Sequence, residues 1–405
     1  MSKKHEVVIV GGGFGGIKAA LELVEDRRFN VTIISDHDDF RVYPTLYQVS
    51  TGGPEKIASI PLDEIFAGKD ITIVIDTVTA IDKKAHIITT SSKQSYTYEA
   101  AVFGLGVQTN YFHIDGLAEY SFGIKTLADA QALKKHLHTQ LCDTKQLDLN
   151  YVVVGGGPTG VELAGELPRY LRQIAHNHGV KHKKIHVDIV EAGPRLVPRM
   201  PKSVSRAITR NLRKQGVKVF TKTAVQAQTA DALMVNNKPI RSHTVIWTAG
   251  VSNHPFFAQN DFQTSRTGKV RVDQFLQAEA GIYIIGDNAD TPYSGMAQTA
   301  LYDGKFVAAN IQRLASKQDA KPYVAKKPIY VLPAGPRWAA VVWGRLRIYG
   351  ILGWGLRSIA DLIAYHDYLP AQKALSRWMA LDDSEESCYH CNGNADKLRY
   401  LSGEA

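Results

Sequence analysis

The chain has 405 residues, 44% of them hydrophobic, with a formal charge of +9. This length suits about two to three domains, and the apolar content excludes wholesale disorder. The positive balance fits an anionic membrane surface or a negative cofactor, but no nucleic-acid module accompanies it, so nucleic acid is not an expected partner.

The β-branched run Val7–Val10 reads as a buried parallel strand. It starts near Glu6 and leaves no room upstream for a secretory hydrophobic segment. Gly11, Gly13 and Gly16 follow in the dinucleotide spacing, with Phe14 and Gly15 between them. The first glycine of such a turn makes the bend, the second admits a pyrophosphate and the third lets helix and strand approach. A helix over Ile17–Val24 and a strand over Asn30–Ser35 complete the unit. An acid that binds a ribose normally ends that second strand. Here Ser35 holds the expected place and Asp36 comes one residue later.

The segment YEAAVFGLGVQTN is a strand that runs into Gly104 and Gly106. Residues 125–150 form a helical linker, and Tyr151–Val154 is again a strand. Gly155, Gly157 and Gly160 repeat the fingerprint around Pro158 and Thr159, and a long helix follows from about Val161. The next strand ends in Glu191. A carboxylate there accepts both ribose hydroxyls of NAD and repels a 2′-phosphate. Two such turns on one chain imply two dinucleotides, one a held flavin and the other an exchanging nicotinamide, because hydride transfer needs both rings in one crevice.

Two further strands exit into glycine, at Ala249–Gly250 and at Gly286–Asp287, and the second leads into the helical MAQTALYDGKFVAANI. Near the C-terminus Leu352, Leu356, Ile359 and Ile363 keep a helical apolar stripe, interrupted by Arg357, Asp361 and His366. With Arg345, Arg347 and Arg357 and the tryptophans 338, 343 and 354, this stretch suits a headgroup surface; the same stripe suits packing on its own domain or on a dimer mate. No apolar run of about 18 residues suggests a spanning helix. The three cysteines, Cys142, Cys388 and Cys391, form no disulfide framework and suit a reducing cytoplasm. One Cys-x-x-Cys without a second pair is a weak metal signal, so no metal is expected.

The segments PTLYQVSTGG, GVELAGEL, EAGPRLVPRMP, WTAGV and MAQTA stand in an order that resembles the type II NADH dehydrogenases, the single-chain NADH:quinone oxidoreductases. The resemblance spans about residues 6–315 and implies an α/β fold with two Rossmann-like domains, the NAD domain inserted into the FAD domain. It implies that Gly11 to Gly16, Asp36, Val78, Gly106, Asp287, Ala297 and Gln298 touch FAD, and that Gly155 to Gly160 and Glu191 touch NADH; the glycine exits at Gly250 and Gly286 would bring backbone to a cofactor without a side chain in the way. Glu162 matches a family glutamate near the nicotinamide, and Gln298 a glutamine near the quinone mouth. The family often has a second glutamine nearby, where this chain has Tyr302 and Asp303.

The expected division is 1–124 and 271–330 for the FAD domain, 125–270 for the NAD domain with its linker, and 331–405 for a C-terminal dimerisation or membrane-surface region. The expected reaction is hydride transfer from NADH to flavin N5, then electron delivery to a quinone without proton pumping. The protein would be cytoplasmic or peripheral on the cytoplasmic side of a membrane, and a homodimer. A soluble NADH oxidase, a reductase of an iron–sulfur protein and a non-catalytic NADH sensor remain open as alternatives.

Overall fold

The computed structural model describes residues 4–144, 147–180 and 185–384. Cys388, Cys391 and the Lys181–Lys184 cluster lie outside these residues, as does the side chain of Cys142.

Two mainly parallel sheets organise the chain. The first has the strand order Gln277–Glu279, Ile282–Ile284, Ala100–Phe103, His5–Val10, Phe29–Ser35, Ile71–Ile75. The second runs Ser121–Phe122, Thr244–Trp247, Tyr151–Val154, Val187–Glu191, Lys218–Thr221. Its first strand precedes residue 125. In each sheet a glycine-turn strand occupies the centre, and its continuous Val and Ile run is buried on both faces.

Six helices shape the glycine turns and the surfaces around them: α1 (Phe14–Val24), α2 (Pro158–Asn177), α3 (Lys202–Lys214), α4 (Ala297–Ala315), α5 (Ile351–His366) and α6 (Ala371–Met379). Helix α2 starts three residues before the expected Val161, because Pro158 at its first turn needs no N–H partner. Helices α1 and α4 approach closely through glycine: a Cβ on Gly304 would sit 2.2 Å from the Gly15 carbonyl oxygen. The three-stranded antiparallel sheet Tyr330–Pro333, Ala339–Trp343, Leu346–Gly350 leads into α5. This C-terminal part touches both sheet units. A Cβ on Gly165 of α2 would lie 2.4 Å from the Gly335 nitrogen, and Tyr365 of α5 donates to the Ile57 carbonyl at 2.7 Å.

The orientation of α5 inverts the usual arrangement. Its buried residues are Gly353, Arg357 and Tyr365, while Leu352, Leu356, Ile359 and Ile363 are exposed. Packing of the apolar stripe on its own domain is therefore excluded. Arg357 points inward, away from any headgroup surface, and Asp361 pairs with it instead of interrupting the stripe. Gly353 explains the close seating of the helix, since a Cβ there would lie 2.2 Å from the Ala339 carbonyl oxygen.

Candidate functional site

The two glycine turns are the same construction built twice. Gly11 N–H donates to Ile34 O at 2.8 Å and Gly104 N–H to Val10 O at 2.9 Å. In the second unit Gly155 N–H donates to Val190 O and Thr248 N–H to Val154 O, both at 2.8 Å. Gly11 and Gly155 have φ of +112° and +114°, a region that L side chains avoid. A Cβ on Gly16 or Gly160 would fall 2.0 or 1.9 Å from the carbonyl oxygen of Gly11 or Gly155. At Gly13 the nearest neighbour of such a Cβ is 3.9 Å away, and at Gly157 nothing lies within 4 Å. The open space falls where a pyrophosphate needs it. Gly13 and Gly157 cap α1 and α2 without any side-chain hydrogen bond, so the first-turn N–H groups remain available to phosphate. The residues fit two dinucleotides.

The acids after the second strands distinguish the two cradles. Glu191 accepts from Gly156 N–H at 2.7 Å and from Gly193 N–H at 2.6 Å. In the first unit the equivalent place belongs to Ser35: a Cβ on Gly12 would meet its Oγ, just as a Cβ on Gly156 would meet the Glu191 carboxylate. Ser35 is buried and accepts from His37 N–H at 3.3 Å. Asp36 is exposed and pairs with the His37 ring at 3.2 Å.

At the end of its strand in the first sheet, Asp287 sits on a short 3₁₀ turn (Gly286–Asn288). Burial lowers the pKa of Lys125 and of Lys269, and the nearby Asp287 carboxylate opposes both shifts. Fully buried Asn288 accepts from Gly106 N–H at 3.0 Å and donates to Gly106 O at 2.6 Å, which pins that loop. Asp303 accepts from Gly286 N–H at 3.0 Å and from Tyr323 OH at 2.7 Å; burial nevertheless pushes its carboxyl up to about 6. Val78 is buried in the core beside Val10 and Phe103. A Cβ on Gly250 would collide with Asn110 O and the Phe112 ring.

Glu162, half-buried in the first turns of α2, lies near half-buried Asp361 and the buried Tyr47 and Arg357, which interact with it electrostatically. Burial pushes its carboxyl up to about 8, with Arg357 pulling down and Asp361 pushing up. Arg357 Nε donates to Asp361 Oδ1 at 2.8 Å. Burial alone would lower the guanidinium pKa; Asp361, Tyr47 and Glu162 outweigh it and raise it. Ala297 opens α4, whose N-terminus also has no side-chain cap. Gln298 follows and is exposed, with its side-chain oxygen accepting from Ile329 N–H at 2.8 Å. Tyr302 lies 5.7 Å from Tyr323, centroid to centroid, with the Lys326 ammonium over its ring at 4.3 Å. Sequence reasoning left Ser35 and Asp36 as alternatives, and it passed over Asn288, Lys125, Tyr47 and the pairing of Arg357 with Asp361. The four-residue spacing of opposite charges was the available signal for that pair. Among the described residues, no group of three or more His, Cys, Asp or Glu could hold a metal ion.

This fold, with a glycine cradle in each of two sheets, defines an oxidoreductase that uses two dinucleotides, FAD and NADH. The sequence profile of the pyridine nucleotide-disulphide oxidoreductase family matches residues 5–304, and the chain belongs to that family. It is similar to the type II NADH:quinone oxidoreductase NdhA of Mycobacterium tuberculosis, at 26% identity over 93% of this chain and 86% of that protein. The type II NADH:quinone oxidoreductase of Staphylococcus epidermidis is 24% identical over 84% of this chain and 90% of its own length. The structure of NDH2 from Plasmodium falciparum in complex with NADH superposes with a TM-score of 0.84 at 16% identity, covering 94% of this chain and 97% of that one. The sulfide:quinone oxidoreductase of Aquifex aeolicus gives 0.75 at 17% identity, covering 98% and 95%. At such identities these two structures speak for the fold alone.

Proposed function

We propose that this chain oxidises NADH and delivers the electrons to a quinone without pumping protons, as a type II NADH:quinone oxidoreductase does. The observation that carries the reading is the duplicated glycine cradle with a carboxylate, Glu191, in only one copy. When bound, FAD supplies two-electron acceptance from the nicotinamide and release to the second substrate. The N–H groups of Phe14, Gly15 and Gly16 hold its pyrophosphate behind Gly11 and Gly13. Ser35 takes the adenosine ribose, with Asp36 beside it. Val78, Gly106, Gly286, Asp287 and Ala297 border the rest, and the uncapped start of α4 aims its dipole at developing negative charge. Gly155, Gly157, Pro158, Thr159 and Gly160 hold the NADH pyrophosphate, Gly250 borders it, and Glu191 selects against a 2′-phosphate.

Glu162 keeps its proton at neutral pH and can deliver it toward a quinone oxygen. Gln298 stands at the quinone entrance. Residues 1–120 and 271–330 form the FAD domain and 331–405 the C-terminal region; the NAD domain takes 121–270, four residues more than expected, because Ser121–Phe122 is an edge strand of the second sheet.

No helix among the described residues is long and apolar enough to cross a membrane. The exposed stripe of α5, with Trp343, Leu346, Leu375 and Met379 and the cations Arg345 and Arg347, instead suits peripheral binding to the cytoplasmic leaflet. A homodimer that buries the same residues is the competing arrangement.

The test is NADH oxidation by the FAD-loaded protein against a panel of quinones, oxygen and iron–sulfur proteins. Quinone should be the preferred acceptor. Faster oxygen turnover would make the chain an NADH oxidase, preference for an iron–sulfur protein would make it that protein's reductase, and NADH binding without turnover would leave a sensor.

A further inference from the structure

A second anion site lies outside both cradles. Helix α3 places Lys202, Arg206, Arg210, Arg213 and Lys214 on one exposed face, at intervals of three to four residues or adjacent. Among the described residues none of the five has an ion pair or a side-chain hydrogen bond, and the first turn of the helix contains no acid. The cationic row extends for about 18 Å at the ordinary helical rise. It forms one wall of a groove of about 780 Å³. Val219 and Thr221, on the edge strand of the second sheet, line the other side, and Ser205 and Thr209 add hydroxyls.

We propose that this groove binds a small elongated polyanion with several phosphates, of the nucleoside polyphosphate class. The volume is that of a small-molecule site, about 300–1,000 Å³. The limited volume, apolar Val219 and the hydroxyls favour this occupant over an acidic protein, which would need a broader surface. Unpaired arginines provide forked donors for phosphate oxygens. Among the described residues, no carboxylate pairs with any of these five cations.

The groove also reaches the NADH cradle. Thr221 pairs in register with Glu191, Thr223 N–H donates to Glu191 O at 3.0 Å, and Lys222 N–H donates to Gly193 O at 2.8 Å. A polyanion here adds negative charge beside the proposed NADH ribose site. Its occupancy should raise the KM for NADH several-fold and leave kcat unchanged. That kinetic consequence rests on the function proposed above; the binding does not.

The experiment is calorimetric titration of the FAD-loaded protein with inorganic tripolyphosphate in the presence of saturating NAD⁺, which blocks the second glycine cradle. Binding should persist under NAD⁺ and weaken at least tenfold in Arg206→Glu/Arg210→Glu. The surface control Lys84→Glu/Lys305→Glu should bind as wild type does. Arg206→Gln/Arg213→Gln provides a neutral variant should charge reversal disturb folding, and it should also weaken binding. Complete displacement by NAD⁺, beyond the several-fold weakening that reciprocal coupling requires, or wild-type affinity in both groove variants, would overturn the proposal. So would tighter binding of a poly-glutamate peptide or of anionic vesicles through these arginines at the same salt concentration. Loss of NADH turnover with intact tripolyphosphate binding would count against the function instead.

Discussion

At the scale of single residues, two glutamates make opposite use of their surroundings. Glu162 is pushed from an ordinary 4.5 up to about 8, first by burial. The folded protein therefore holds its proton more tightly than the unfolded chain does. Linkage sets the sign: stability is undiminished below about pH 4.5, falls as pH rises toward 8, and flattens above that. Melting temperatures measured from pH 5 to 9 should show this decline, and Glu162→Gln should remove most of it. Arg357→Met would leave Asp361 and Glu162 without their cation. Breaking a buried pair in this way costs about 3–5 kcal/mol, and chemical denaturation measures it. Glu191 is instead held in place by two backbone N–H groups, at 2.7 and 2.6 Å. Replacing it with Gln should narrow the preference for NADH over NADPH by about 1–3 kcal/mol, the worth of a hydrogen bond to a charged group. The ratio of kcat/KM values gives this directly. Equal use of both nucleotides by wild type would end the assignment.

At the scale of elements, the glycine turns were legible because each demands a glycine for a separate steric reason. Gly11 needs positive φ, Gly16 needs its carbonyl neighbour at contact, and Gly13 must leave room for a ligand. Gly16→Ala and Gly160→Ala should therefore disturb the unit itself and lower soluble yield. Gly13→Ala should fold normally and lose flavin, read as the absorbance ratio of flavin to protein. The choice between Ser35 and Asp36 was not legible, because a shift of one residue reverses which side chain faces the glycine turn, and only the contact with Gly12 fixes the register. Helix α5 was legible as amphipathic but not in direction. Periodicity identifies a face without saying whether protein or something else covers it. Leu352, Leu356, Ile359 and Ile363 read as a stripe from sequence; that the stripe faces outward depends on Gly353 seating the opposite side and on Arg357 finding Asp361 beneath it.

At the scale of the whole molecule, that outward stripe lies on a helix packed against the same three-stranded sheet whose turn carries exposed Trp343 and Leu346. Trp343 is 63% exposed, Ile351 65% and Leu352 72%. Contiguous exposure of large apolar side chains marks an interaction surface on a folded protein. Arg345 and Arg347 flank it, and each cation near an anionic bilayer contributes about 1 kcal/mol. Binding to anionic liposomes should thus weaken with salt and yet persist in part through apolar contact. Leu352→Glu/Ile359→Glu changes two residues that touch no core, so the fold and the flavin content should survive. Flotation should fail for this variant, and turnover with a long-tailed quinone in liposomes should fall while turnover with a short water-soluble quinone is kept. That split separates a membrane surface from a subunit interface, because a dimer contact would appear as a change in sedimentation with both quinones affected alike. Wild-type protein that stays unbound on anionic liposomes, and becomes monomeric only when these residues are charged, would assign the surface to a second copy of the chain.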